Sequence, residues 1–162
     1  MKYASLLSMS MLAVALTPSV ASSDGGARFE AYAVPAYHGP RHAPDFTGPG
    51  RRYWAFRTSI RLGFAQGRMF AGHCVLFGIG CGAGCVSVTF GDLLNGHIYD
   101  FPLGGEENYM LDFNVIPNSR LVKAHWEILG GKSTTCIYED VVLTGTHFAR
   151  SRTGEFSGNC PN

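Results

Sequence analysis

Histidine, cysteine and glycine crowd one stretch of this chain. Residues 70–85 read Phe-Ala-Gly-His-Cys-Val-Leu-Phe-Gly-Ile-Gly-Cys-Gly-Ala-Gly-Cys. Four chemistries use these residue types. Cys81 and Cys85 can close a local disulfide, because the Gly-Ala-Gly link between them lets the backbone turn back into bridging range. His73, Cys81 and Cys85, or Cys74 in place of the histidine, are zinc-type donors at an allowed spacing, but no second half-site follows. Cys74 could be a nucleophile if a histidine base stood beside it. On a shared strand His73 points to the opposite face, so the base would have to be His97, His125 or His147. Gly80, Gly82 and Gly84 could offer a nest of amides to an anion.

The local Cys81–Cys85 bridge is the expected outcome. Five cysteines, Cys74, Cys81, Cys85, Cys136 and Cys160, allow two bridges and one leftover thiol. Cys136 and Cys160 are the natural second pair, tying the C-terminal tail to a late strand, and Cys74 is expected as a buried, inert thiol. Each bridge would add a few kcal/mol rather than decide folding. No catalytic residue, metal or cofactor is assigned. His73, Cys74, Gly80, Gly82 and Gly84 form the candidate functional segment.

Other polar residues carry less. Glu106 and Glu107 are adjacent, so on a strand they would face opposite ways; a solvated turn is expected, with Asp112 nearby. His38 and His42 read as surface histidines, Trp54 and Trp126 as core or half-buried anchors. No Gly-x-Ser-x-Gly, phosphate loop or dinucleotide fingerprint occurs.

The elements that must position the segment are mostly strands. Tyr53, Phe56, Ile60 and Phe64 recur at helical spacing with Arg52, Arg57 and Arg61 between them, which predicts an amphipathic helix over 51–66 stopped by Gly67. Alternating apolar runs over 70–77, 86–90, 97–101, 109–115, 121–129, 135–143 and 146–150 predict about seven strands. Asn95-Gly96 signals a type I′ hairpin, and Pro102 is expected to end its second strand. Short connections favour sequential antiparallel pairing. The expected fold is mainly β (α+β): a seven-stranded antiparallel meander preceded by one helix and stapled by disulfides.

The N-terminus reads as a signal peptide. Lys2 supplies the positive start, residues 6–16 the apolar centre, and Ser19-Val20-Ala21 a small-residue cleavage site. The apolar run is shorter than the roughly 20 residues a bilayer span needs, and no second such run follows, so no integral span is expected after cleavage. Residues 1–21 are thus a signal peptide, 22–50 an irregular Pro/Gly-rich arm, and 51–162 one β-rich domain in the periplasm or secreted. Without Lys2 the chain carries 12 Lys and Arg against 12 Asp and Glu. That neutrality argues against a nucleic-acid partner and shows no polybasic run for an anionic membrane.

Phe70-Ala71-Gly72-His73, Gly80-Cys81-Gly82-Ala83-Gly84-Cys85, Asp92, Gly96, Tyr99 and Pro117-Asn118-Ser119-Arg120-Leu121 together resemble a family of small exported bacterial proteins without an assigned function. The resemblance spans residues 52–150. Cys74 stands where such proteins usually have an aromatic, and Asn95 where they usually have threonine. It implies export and a β-rich domain and carries no catalytic residue across. The expected function is a non-enzymatic binding domain of inhibitor or immunity type, whose partner is another exported protein. The alternatives are a small hydrolytic or thiol-dependent envelope enzyme centred on 73–85, and a structural envelope component.

Overall fold

A computed structural model describes residues 27–130 and 132–161. The expected signal peptide, 1–21, and the first residues of the arm lie outside them. The amphipathic run divides into a 3-10 segment, Gly48–Phe56, and an α-helix, α1, Arg57–Gln66. Pro49 opens the first piece. Gly50 and Tyr53, three residues apart, share its buried side, as the three-residue period of a 3-10 turn requires. Ile60 and Phe64 then follow at α spacing, and Gly67 caps the end through Gly67 N–H donating to the Gly63 carbonyl, 2.7 Å. The α-helix therefore covers ten residues of the single helix expected over 51–66.

Eight strands form two antiparallel sheets of four, not one seven-stranded sheet. The first holds β1 (Arg68–Phe70), β2 (Cys74–Gly82), β3 (Cys85–Asp92) and β4 (Ile98–Gly105); the second β5 (Tyr109–Val115), β6 (Leu121–Leu129), β7 (Thr134–Thr144) and β8 (His147–Ser157). Within each sheet the strands lie in sequence order, so the connectivity is that of two meanders. The extra strand arises because 70–77 is not continuous. Ala71 and Gly72 take left-handed conformations, φ 51° and 79°, and reverse the chain so that Phe70 pairs with Cys74. Nothing in Phe-Ala-Gly-His announces that turn, since alanine disfavours positive φ. Two further expectations fail for local reasons. Pro102 lies inside β4, an edge strand, opposite a β3 irregularity between Ser87 and Thr89 where no ladder hydrogen bond is demanded of it. The β3–β4 connection is longer than a type I′ turn: Gly96 alone has positive φ, and Gly96 N–H donates to the Asp92 carbonyl, 2.8 Å.

The sheets face each other across one core. Phe70, Leu76, Phe90 and Leu103 of the first meet Phe113, Val122, Trp126 and Ile137 of the second. The other face of the first sheet carries a smaller core, where Val75, Phe77 and Ile98 meet Tyr53, Ile60 and Phe64. Strand residues alternate between faces, so Val75, Leu76 and Phe77 are all buried because both faces of β2 are covered. Side chains stitch the sheet edges: Arg68 of β1 donates to the Phe113 carbonyl of β5, and Arg150 of β8 to the Pro102 carbonyl of β4, 3.2 Å.

The described part of the arm, residues 27–50, is irregular apart from a 3-10 turn at Phe29–Tyr32 and the start of the Gly48–Phe56 segment. Backbone bonds hold it across the domain. Val34 N–H donates to the Asn118 carbonyl (2.8 Å), Tyr37 N–H to Gly72 (2.9 Å), His42 N–H to Leu93 (2.9 Å) and Asp45 N–H to Gly96 (2.8 Å).

Both expected disulfides are present, Cys81–Cys85 with sequence separation 4 and Cys136–Cys160 with separation 24. Loop-closure entropy ranks them: replacing the longer pair by alanine should cost about 3.5 kcal/mol and the shorter pair about 2 kcal/mol. Thermal unfolding of the two double variants checks the order, and a larger loss for Cys81→Ala/Cys85→Ala would contradict it.

Candidate functional site

β2 pulls the 70–85 segment apart. It spans nine residues, roughly 26 Å from end to end, so His73 and Cys74 stand at one end and the glycines at the other.

At the first end lies a cavity of about 430 Å³. Its walls include His73, Cys74, Asp92, Tyr99 and Arg120, and Val34 and Pro35 of the arm lie over it. The left-handed turn brings His73 here. Because that residue sits in the turn and not on β2, it lines the same cavity as Cys74, against the expectation that the two face apart. Cys74 pairs with Asp92 across the β2–β3 ladder. Asp92 is committed to its own loop: Oδ1 accepts from Leu94 N–H and Oδ2 from Asn95 Nδ2, each at 2.8 Å. His73 Nε2 stands 3.7 Å from Asp92 Oδ1, an ion pair whenever the imidazole is protonated. Tyr99 stacks on Phe90 with centroids 4.8 Å apart, and its hydroxyl lies 3.4 Å from His97 Nδ1.

The thiol here is chemically quiet. Cys74 is 2 % exposed, and burial, followed by the negative charge of Asp92, pushes it up to about 12. The same two causes, burial first, raise the Tyr99 hydroxyl. Neither group ionises near neutral pH. Of the histidines proposed as a base, His97 is bonded to Tyr99, His125 lines a different cavity and His147 lies beside Thr146.

Arg120 is the unusual wall. Its backbone N–H donates to the Tyr32 carbonyl of the arm (3.0 Å), and its Nη1 to the Leu143 carbonyl (3.3 Å). Its Nε is buried without a hydrogen-bond partner, and among the described residues the guanidinium has no carboxylate partner. A part-buried cation without an anion is unfavourable. In the sequence Arg120 stood out only within Pro117-Asn118-Ser119-Arg120-Leu121, as part of the resemblance to small exported proteins and with no site role attached.

At the far end a second cavity of about 560 Å³ takes Gly80, Gly82 and Gly84 together with Met110, His125 and Glu127. Gly84 is required there, with φ 70° and the Tyr109 ring where a side chain would begin. Its carbonyl accepts from Met110 N–H, 2.8 Å, joining the two sheets. The zinc reading loses its thiolates to the Cys81–Cys85 bridge. Glu106 and Glu107 are exposed in the β4–β5 turn, Asp112 pairs with Arg68 at 3.5 Å, and His38 and His42 are exposed on the arm. Trp126 is buried, and Trp54 is 53 % exposed with its ring edge to face on Phe46, which packs against the smaller core.

The chain matches no protein-family model, no curated protein sequence and no solved structure. Among the described residues no helix is long and apolar enough to cross a membrane.

A thiol that releases its proton at about 12 in the folded protein, against an ordinary 9.0, binds that proton more tightly when folded. Its contribution to stability is complete below pH 9 and erodes as pH rises toward 12. Tyr53, pushed up to about 12 by burial and then by its bond to Asp100, acts in the same direction from its ordinary 10.0. Urea midpoints should fall with rising pH above about 9, and Cys74→Ala should flatten the fall. Iodoacetamide should label Cys74 only after unfolding; fast labelling of the native protein would contradict the inert assignment.

Proposed function

We propose that this protein is an exported, non-enzymatic binding domain of inhibitor or immunity type, and that it holds an exported protein partner through the arm-covered cavity. The observation that carries the reading is Arg120, a guanidinium without an ion-pair partner among the described residues, set in the wall of a cavity whose thiol is protonated. An arginine fork fits a carboxylate in two parallel hydrogen bonds. Apolar walls from Val34, Pro35, Phe90 and Leu143 favour a carboxylate carried on an apolar stem, as at an acidic side chain or a chain terminus of the partner. Five of the residues that carry the resemblance to small exported proteins, Ala71, His73, Asp92, Tyr99 and Arg120, line this cavity, while the 80–85 piece lies at the other end of β2. Two disulfides fit an oxidising compartment.

The thiol-dependent alternative is weaker for a stated reason. A nucleophilic cysteine sits exposed in a setting that lowers its pKa, and Cys74 is buried in one that raises it.

The test immobilises the disulfide-bonded protein and passes an exported-protein fraction over wild type, Arg120→Gln and Cys74→Ala. Wild type and Cys74→Ala should retain the same partner. Arg120→Gln, at unchanged melting temperature, should lose about thirtyfold in affinity or more, the consequence of removing one member of a buried charge pair. No specific capture by wild type, or equal capture by Arg120→Gln, overturns the reading.

A further inference from the structure

From residue 46 to residue 91 the chain contains no Asp or Glu, yet it contains five arginines, Arg51, Arg52, Arg57, Arg61 and Arg68. Neutrality of the whole chain hides this concentration. Arg52 is met by Asp100 at 2.9 Å and Arg68 by Asp112 at 3.5 Å, both borrowed from other elements. Arg51, Arg57 and Arg61 are exposed and have no carboxylate partner among the described residues. All three lie on the 3-10 segment and α1, the layer outside the first sheet.

Large apolar side chains stand between them. Trp54, Phe56 and Leu62 are 53 %, 51 % and 55 % exposed. The inward side of the same segment is already filled by Tyr53, Ile60 and Phe64, so these three are surplus to the core. Arg57 lies 5.1 Å over the Trp54 ring and Arg61 5.6 Å over Phe46, and Phe46 meets Trp54 edge to face with centroids 5.8 Å apart. Arg57, Trp54, Phe46 and Arg61 therefore form one continuous array of cations and aromatics, with Arg51, Phe56 and Leu62 exposed on the same two elements. Single exposed apolar residues need no explanation; three within nine positions, interleaved with unpaired arginines, do.

We propose that this face docks the protein on an anionic phospholipid surface. Trp and Phe rings prefer the boundary between headgroups and acyl chains, and leucine enters just beneath it. Guanidinium groups at the same depth meet lipid phosphates. A fluid bilayer accepts both from an outermost helical layer without a shaped counterpart, which an acidic protein would have to provide. The docking is peripheral and separate from the arm-covered cavity, so it does not depend on Arg120.

Trp54 reports on it directly, because the only other tryptophan, Trp126, is buried. The disulfide-bonded protein is titrated with vesicles of phosphatidylcholine alone and of phosphatidylcholine with phosphatidylglycerol. The expected result is co-sedimentation with the phosphatidylglycerol vesicles, a blue shift of Trp54 emission and its quenching by brominated lipid. Arg51→Gln/Arg57→Gln/Arg61→Gln should weaken partitioning about a hundredfold, and Phe56→Ser/Leu62→Ser should abolish the quenching. All five positions are exposed, so far-ultraviolet circular dichroism should not change. Arg120→Gln should bind vesicles like wild type. No blue shift with phosphatidylglycerol vesicles, equal binding to phosphatidylcholine alone, or binding to polyglutamate without binding to vesicles would overturn the proposal, the last in favour of an acidic protein partner.

Discussion

Two consecutive left-handed residues, Ala71 and Gly72, hold this architecture together. The turn they make is bonded on every side. Ala71 N–H donates to the Ser119 carbonyl at 2.7 Å, Gly72 N–H to Pro117 at 2.8 Å, and the Gly72 carbonyl accepts from Tyr37 at 2.9 Å. One reversal thus joins the first sheet, the β5–β6 loop and the arm. Gly72 has no room for a side chain, because the Pro35 carbonyl occupies the place of its β-carbon. The strain at Ala71, of order 1–2 kcal/mol, is tolerated because these three bonds fix the turn. The same reversal places His73 beside Cys74 and so defines the cavity wall.

Ser119 completes the junction from the other side. It is fully buried, its hydroxyl donates to the Phe29 carbonyl at 2.8 Å, and it accepts from Leu121 N–H at 3.2 Å. A hydroxyl so placed satisfies one backbone group of the arm, at Phe29, and one at the start of β6, at Leu121. Arg120, next in sequence, then has its backbone fixed by Tyr32 and its side chain turned to the cavity. The cation of the site is held by backbone bonds to Tyr32 and Leu143 and by its own Nη1 bond to the Leu143 carbonyl, next to the buried Ser119.

How much of this could be read from residue order depends on the range of the interaction involved. Alternation and turn residues announced most strands, and the cysteine arithmetic announced both bridges, because those signals are local. β8 was expected only to residue 150, since Arg-Ser-Arg-Thr-Gly-Glu is too polar to suggest a strand; an exposed edge beside β7 needs no apolar face. The split at Ala71 was hidden because its cause lies 46 and more residues away, in Pro117 and Ser119. His73 and Cys74 were singled out together, but their geometry was inverted by assuming one continuous strand. Gly80, Gly82 and Gly84 shared a motif with them and belong to a different cavity. Arg120 was missed because a part-buried cation without a counter-charge is a property of packing.

Within each sheet every strand pairs with its neighbour in the chain, so the strands can assemble through short-range closures. The arm is different. Besides Gly72, Leu93 and Gly96, its partners lie at Asn118, Ser119 and Arg120, and at Asp140, whose carboxylate receives Ala27 N–H. Closing so long a loop costs entropy that is recovered only once those partners are in place. The arm thus makes closures of 84 residues and more, as from Val34 to Asn118, and the cavity wall supplied by Val34 and Pro35 depends on them. Each sheet keeps its own ladder of sequential strands without the arm, so the cavity is the part of the fold that loses a wall if the arm is displaced.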